Sequence, residues 1–412
     1  MRRFILLFFF AVLALTACNT KELIPSRDKS LDGQKVDILD TGNSVAKLFV
    51  LNEGGMGSNN ASLDFMRFSD GKYVNGAFKL MNPEIGAGLG DVGNDIAVIG
   101  NEVWIVVNNS GLVEVISVSN ETEIAAIAVP TPRNIAFDGK YAYVTSWAGA
   151  YVHGLYDDYG NIKMMDYLNP KGRVYRIDLK TKKIIDSVEV GYQPEGVAYY
   201  DGRIYVANSG GISSQIPPLY AYDNTVSILD ASSFKVVQTV EVAVNLKNVY
   251  SDGKGVIYVT SLGDYWANHT GLFYFYASDP TVVKKAGKNQ QKPGDLQVSC
   301  SFGGGDTVYC IGTKDEFDWS AQHDYYVWSF SIVDNSTDRG KIVIYPQELH
   351  GTPYGLGVVE YNGFGGGHYM FVGDAGDYFN PGTVSCYQLE FGNGERLWTV
   401  KAGVCPGHFA IW

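Results

Sequence analysis

The chain has 412 residues, 46% hydrophobic and 13% aromatic, enough to bury a large core. Its 48 glycines and 28 tyrosines, with only 18% charged residues and no long apolar-periodic helix, describe a β-rich, turn-rich protein. A net charge of −12 without basic clusters argues against nucleic acid or an anionic membrane surface as partner.

The first residues read as a targeting segment. Arg2 and Arg3 precede an apolar run from Phe4 to Leu15, too short for a retained membrane span, and Leu15-Thr16-Ala17-Cys18 follows. A small residue directly before Cys18 resembles a bacterial lipobox, which implies cleavage after residue 17 and lipidation of Cys18. Loss of Arg2 and Arg3 takes the net charge from −12 to −14. Residues 18–45 are polar and aperiodic and are expected to form a flexible tether, with the membrane engaged only through the lipid anchor.

A repeat fills the rest, residues 46–412. Its clearest copy contains four runs rich in Val, Ile and Tyr: GVAYY from Gly196, RIYVAN from Arg203, TVSILD from Thr225 and KVVQTVEV from Lys235. Asp201-Gly202 between the first two is a two-residue hairpin signal, and Asp138-Gly139 and Asp252-Gly253 occupy the same place in other copies. Such a four-stranded sheet cannot bury both faces alone, so the copies must stack. The chain ends in PGHFAIW, the beginning of a unit with nothing after it, and the repeat region opens with KLFVLNEG, which lacks a first strand. Pairing of Gly407–Trp412 with Lys47–Leu51 completes one shared unit and removes the open edges. The expected fold is therefore all-β: a seven-bladed propeller of four-stranded antiparallel blades, closed by its N- and C-terminal strands.

In that topology the loops between second and third strands, and the loops between blades, open on one face. The other face carries short polar turns. The expected binding loops are long and aromatic, as functional loops within repeats tend to be. They contribute Trp147, Tyr151, His153 and Tyr156, then Tyr222, then Tyr265 and Trp266, then Phe317 and Trp319, and last Tyr378 and Phe379. Inter-blade loops are expected to line the centre with Arg133, Gln193, Glu195, Asn248, Tyr354 and His408. Packing of these aromatics against one another is the alternative for any single residue; as a set they suggest a broad ligand-binding face.

No nucleophile elbow, zincin motif or phosphate-cradling loop is present, no metal site is expected, and the chain reads as a binding protein without catalytic residues or cofactor. Cys300 and Cys310 flank the turn FGGGDT and are a possible disulfide. No Cys/His spacing suggests zinc.

The stretch PEGVAYYDGRIYVANSGG, continued by NTVSILDASSFKVVQTVEV, resembles the YncE-like β-propellers. LFVLNEGGMGSNNASLDF and DVGNDIAVIGNEVWIVVNNSGLVEVI resemble a branch of them found among Bacteroidetes surface lipoproteins, which includes the corrinoid-capturing BtuG type. The resemblance implies an outer-membrane, lipid-anchored, surface-exposed protein. It would take a corrinoid (vitamin B12) as transported ligand, not as cofactor, and pass it to a BtuB-like TonB-dependent transporter. Asn108, Asn208, Gln215 and Asn268 are polar groups that would suit such a ligand. Three alternatives remain open: capture of a glycan or peptide for another TonB-dependent system, a propeller lyase or lactonase built on axial histidines and acids, or an adhesion or scaffold role.

Overall fold

The computed structural model describes residues 33–36, 39, 46–148, 155–156, 162–163, 171–210, 222–263, 271–286, 296–303, 307–313, 324–331, 340–349, 351–361, 367–390 and 393–412. They form seven antiparallel blades of four strands in simple up-and-down order, one of them with a fifth strand, and a separate two-stranded hairpin. Innermost strand first, blade 1 comprises Pro406–Ile411, Lys47–Asn52, Ser62–Arg67 and Lys72–Val74. Blades 2 to 7 follow in chain order, with innermost strands Gly93–Ile99, Pro132–Phe137, Pro194–Tyr200, Leu246–Ser251, Leu296–Gly303 and Pro353–Tyr361. A two-stranded hairpin, Leu155–Tyr156 with Ile162–Lys163, sits within the long insert of blade 3.

The ends of the chain close the ring as the repeat requires. Leu48 faces Ile411, Val50 faces Phe409 and Leu51 faces His408 across an antiparallel pair. The backbone N–H of Trp412 also donates to the Lys47 carbonyl at 3.0 Å. Blade 1 extends further than the expected boundary at residue 46. Gln34–Lys35 adds a fifth strand against Lys72–Tyr73, and the Gln34 side chain both donates to and accepts from the Lys401 backbone at 2.9 Å. Residues 33–36 thus belong to the propeller, not to the tether.

The core lies between blades. Val103, Ile105 and Val107 on one side of the second strand of blade 2 pack with Leu51, Leu63 and Phe65 of blade 1. Trp104 and Val106 on its other side pack with Ile135, Ala142 and Val144 of blade 3. Both faces of the strand are buried, which is why EVWIVV reads as a nearly continuous apolar run and not as an alternation. The same arrangement repeats around the ring, and the last cluster joins Phe371 and Val384 of blade 7 to Leu48 and Val50 of blade 1.

The hairpin turns divide. Asp201 and Gly202 have φ of 43° and 74°, as a type I′ turn demands. At Asp138 and Asp252 only the following glycine is left-handed, and the carboxylate instead caps the turn by accepting from the N–H of Lys140 and Lys254.

Candidate functional site at the propeller axis

Blades 1 to 5 are entered through one backbone device. The residue before the innermost strand is left-handed: Val92 (φ 62°), Thr131 (36°), Gln193 (42°), Asn245 (55°) and Cys405 (53°). Its carbonyl accepts the N–H of the residue just past the second strand: Asn108 (2.8 Å), Trp147 (3.2 Å), Ser209 (3.2 Å), Leu262 (2.9 Å) and Glu53 (2.9 Å), respectively. Non-glycine residues in this region cost of order 1–3 kcal/mol each. The repeated bond holds the loop down and turns the chain sharply onto the axis. The side chains that follow immediately are delivered to the centre.

Two of these groups of side chains meet there. Arg133, Glu195 and Lys247 each stand two residues after the left-handed position in blades 3, 4 and 5. Arg133 donates from Nε to both Glu195 oxygens at 3.1 Å and from Nη2 to Oε2 at 2.9 Å; Lys247 Nζ reaches the same Oε2 at 2.9 Å. Glycine makes this possible: a Cβ on Gly196 would lie 2.4 Å from the Val249 nitrogen and 2.6 Å from Asn248 Cα. The innermost strands of blades 4 and 5 therefore approach at backbone distance, and Lys247 comes alongside Glu195. Burial alone would raise the Glu195 pKa, but Arg133 and Lys247 outweigh it and hold the group below the usual carboxylate value.

The second group joins blades 7 and 1. Tyr354 donates to Glu53 Oε2 at 2.7 Å, and His408 Nε2 lies 2.9 Å from Oε1. Burial opposes ionisation of Glu53, yet the contacts with His408 and Tyr354 and the charge of Lys247 lower its pKa overall. Tyr354 is pushed far above the ordinary phenol value, first by burial and then by Glu53, so it serves as a donor. Between the two groups, Asp95 accepts from the backbone N–H of Ile135 and Ile96, both at 2.9 Å. Burial nevertheless raises its pKa.

The structure places the expected residues unequally. Arg133, Glu195, Tyr354 and His408 converge on the axis. Gln193 is buried, with a side-chain oxygen lacking a hydrogen bond, and Asn248 lies beside Gly196. Trp147 presents one ring face to the Arg133 guanidinium, 4.5 Å from the centroid, so that face is already covered. Tyr222 is half-buried, three residues before the third strand of blade 4. Tyr378 packs edge-on against Tyr354 with centroids 5.7 Å apart, and Phe379 beside it is 84% exposed. Met56 and Tyr192, also exposed, belong to loops of the same face. Tyr151, His153, Tyr265, Trp266, Phe317, Trp319 and Cys18 lie outside the described residues, as do Gln215 and Asn268. Tyr156 and Cys300 are described as strand backbone, with Cys300 directly opposite Cys310 in the register.

Two expected ligand groups prove to be scaffold. Asn108 donates to the Pro132 carbonyl at 2.8 Å. Asn208 accepts from Gly191 N–H and donates to Thr225 and Ser227. Both are buried. They fasten inter-blade loops at the end of the second strand, where Ser146 and Ser261 do the same through Pro130 and Val244. Lys247, Glu53 and Asp95 were not foreseen. Lys247 could be found by aligning Asn245-Leu246-Lys247 with Gln193-Pro194-Glu195.

Among the described residues no group of His, Cys, Asp and Glu is arranged to hold a metal ion. No helix of the described residues is long and apolar enough to cross a membrane. No protein-family model and no curated protein matches the sequence. Among solved structures, the Kuenenia stuttgartiensis hydrazine synthase is similar, with a TM-score of 0.53 at 14% identity, covering 77% of this chain and 88% of that one. Likeness at that identity shows the fold alone. The chain is a seven-bladed β-propeller.

Proposed function

We propose that the protein is a non-enzymatic, lipid-anchored capture protein of the YncE-like, BtuG-like kind. On this reading it takes a corrinoid on the loop-bearing face and hands it to an outer-membrane TonB-dependent transporter. The observation that carries the reading is the composition of that face. Exposed Met56, Tyr192, Tyr378 and Phe379 stand in its loops above a centre of fixed, mutually bonded polar groups. Large ligands with a flat apolar body and polar edges bind tightly to surfaces of this composition when little has to be ordered on binding. The lipobox before Cys18 supports the location, and the strand resemblance supports the ligand class.

Calorimetry with cyanocobalamin tests it. Saturable heat and a shift of the corrin absorption bands are expected at micromolar protein; absence of both would overturn the corrinoid assignment.

One observation favours a second reading, a lyase- or lactonase-type enzyme: an imidazole, a carboxylate and a phenol meet at His408, Glu53 and Tyr354. General acid–base chemistry uses such groups at hydrogen-bond distance. Turnover of a uronate oligomer or a lactone, abolished by His408→Gln, would favour it over capture.

A further inference from the structure

The Arg133–Glu195–Lys247 cluster contains one more cation than its carboxylate requires. Arg133 alone engages both Glu195 oxygens. Lys247 is nevertheless brought to the same Oε2, which places two like charges around one buried anion. Of the neighbouring acids, Glu53 balances part of the charge of Lys247 but takes no hydrogen bond from it among the described residues. Both oxygens of Glu53 are engaged by Tyr354 and His408. Asp95 is satisfied by two backbone N–H groups, and burial disfavours its ionised form.

Donors are also left over. A guanidinium carries five N–H groups and an ammonium three. Arg133 uses Nε and Nη2 on Glu195, and Lys247 uses one bond to it, which leaves Nη1 of Arg133 and further protons of both residues uncommitted among the described residues. The Lys247 side chain is 29% exposed while that of Glu195 is 5% exposed. Solvent therefore reaches the cluster mainly through Lys247, while Arg133, whose side chain is 10% exposed, is anchored with Glu195.

We propose that Arg133 and Lys247 form an axial subsite for one anionic oxygen group, a carboxylate or a phosphate, of the ligand bound on the loop face. Glu195 acts as the positioning residue that aims both cations. The proposal rests on the reading of that face as a capture surface, but not on the ligand being a corrinoid. Bidentate guanidinium contacts favour planar carboxylate and phosphate oxygens, and a lysine beside them adds charge.

The ring of Trp147 on Arg133 supplies a signal. The purified protein is titrated with acetate and with inorganic phosphate at constant ionic strength, with acetamide as a neutral isostere. Tryptophan emission is followed, and Trp147→Phe assigns the change. Saturable responses to acetate or phosphate are expected, with acetamide much weaker. Lys247→Met, which removes only the exposed cation, should weaken the response tenfold or more. Glu195→Gln should tighten anion binding, because the internal competitor loses its charge. No saturable response, an equal response to acetamide, or an unchanged response in Lys247→Met would each overturn the subsite.

Cyanocobalamin titration of the same proteins separates this from the ligand assignment. Anion binding without cyanocobalamin binding supports the subsite and removes the corrinoid. Cyanocobalamin binding that neither phosphate nor Lys247→Met alters removes the subsite and keeps the corrinoid.

Discussion

Arg133 of blade 3 and Glu195 of blade 4 are joined between neighbouring inner strands by three N–H···O contacts of 2.9–3.1 Å, with both side chains buried. Removal of one member of a buried pair leaves the other charge without compensation, at about 3–5 kcal/mol. Arg133→Met is expected to fall within or just below that range, because Lys247 still faces Glu195. The double change Arg133→Met with Glu195→Met should recover much of the loss. Denaturant unfolding of the single and double variants measures this; equal stability of Arg133→Met and the parent would show that the pair contributes nothing.

Glu114 behaves oppositely to the axial carboxylates. It is buried in the third strand of blade 2, its Oε2 has no hydrogen bond, and burial with the charge of Glu123 raises its pKa to about 7. Its folded pKa lies above the unfolded one, so its contribution favours the folded state below the unfolded pKa and is lost as pH rises towards about 7. Glu114→Gln should therefore stabilise the protein at about pH 8 and change little at about pH 5. Melting temperatures across that range test it.

Glu53 and Glu195 have lowered values, so their stabilisation is present above the unfolded carboxylate pKa of about 4.3 and disappears as pH falls through the folded pKa. Acid unfolding should begin earlier in Glu53→Gln. An unchanged acid limb in that variant would argue against a linked role for this group.

Gly196→Ala is a small change with a large expected effect. The added methyl meets backbone of blade 5 at 2.4–2.8 Å, and backbone cannot swing aside. Overpacking of this kind costs about 1–3 kcal/mol. It should also move Lys247 away from Glu195, so anion response at Trp147 should fall together with stability.

Phe379→Ser separates surface from scaffold. The side chain is 84% exposed, so stability should stay within about 0.5 kcal/mol of the parent. Affinity for the face ligand should drop by about 1–3 kcal/mol if Phe379 is a central contact. Titration of parent and variant under identical conditions decides.

Deletion of Gly407–Trp412 removes the inner strand of blade 1 and exposes Phe49 and Val50, now fully buried. Aggregation or loss of cooperative unfolding is expected; a monomeric deletion variant as stable as the parent would contradict closure through this strand.

The blades could be read directly, because period, turn chemistry and apolar runs are local properties of the chain. Closure was readable too, from complementary half-units at Lys47 and Pro406. Part of the site was also legible: Arg133, Glu195 and Tyr354 follow a proline at the start of a unit, where the chain turns onto the axis. Lys247 escaped because Leu246 stands where four of the other units have proline: Pro132, Pro194, Pro353 and Pro406.

Glu53 escaped for a different reason. It sits at the end of a second strand and reaches His408 and Tyr354 only because Pro406–Ile411 lies beside Lys47–Asn52, across more than three hundred residues of chain. The roles of Asn108 and Asn208 were likewise undecidable from composition, since an asparagine that fastens a loop and one that greets a ligand look alike until burial is known. Local pattern by itself determined the propeller and which of its faces carries the long loops. Pairing of charges from different blades, and hence which polar groups are spent and which remain to bind, depended on ring closure and on the backbone approach at Gly196.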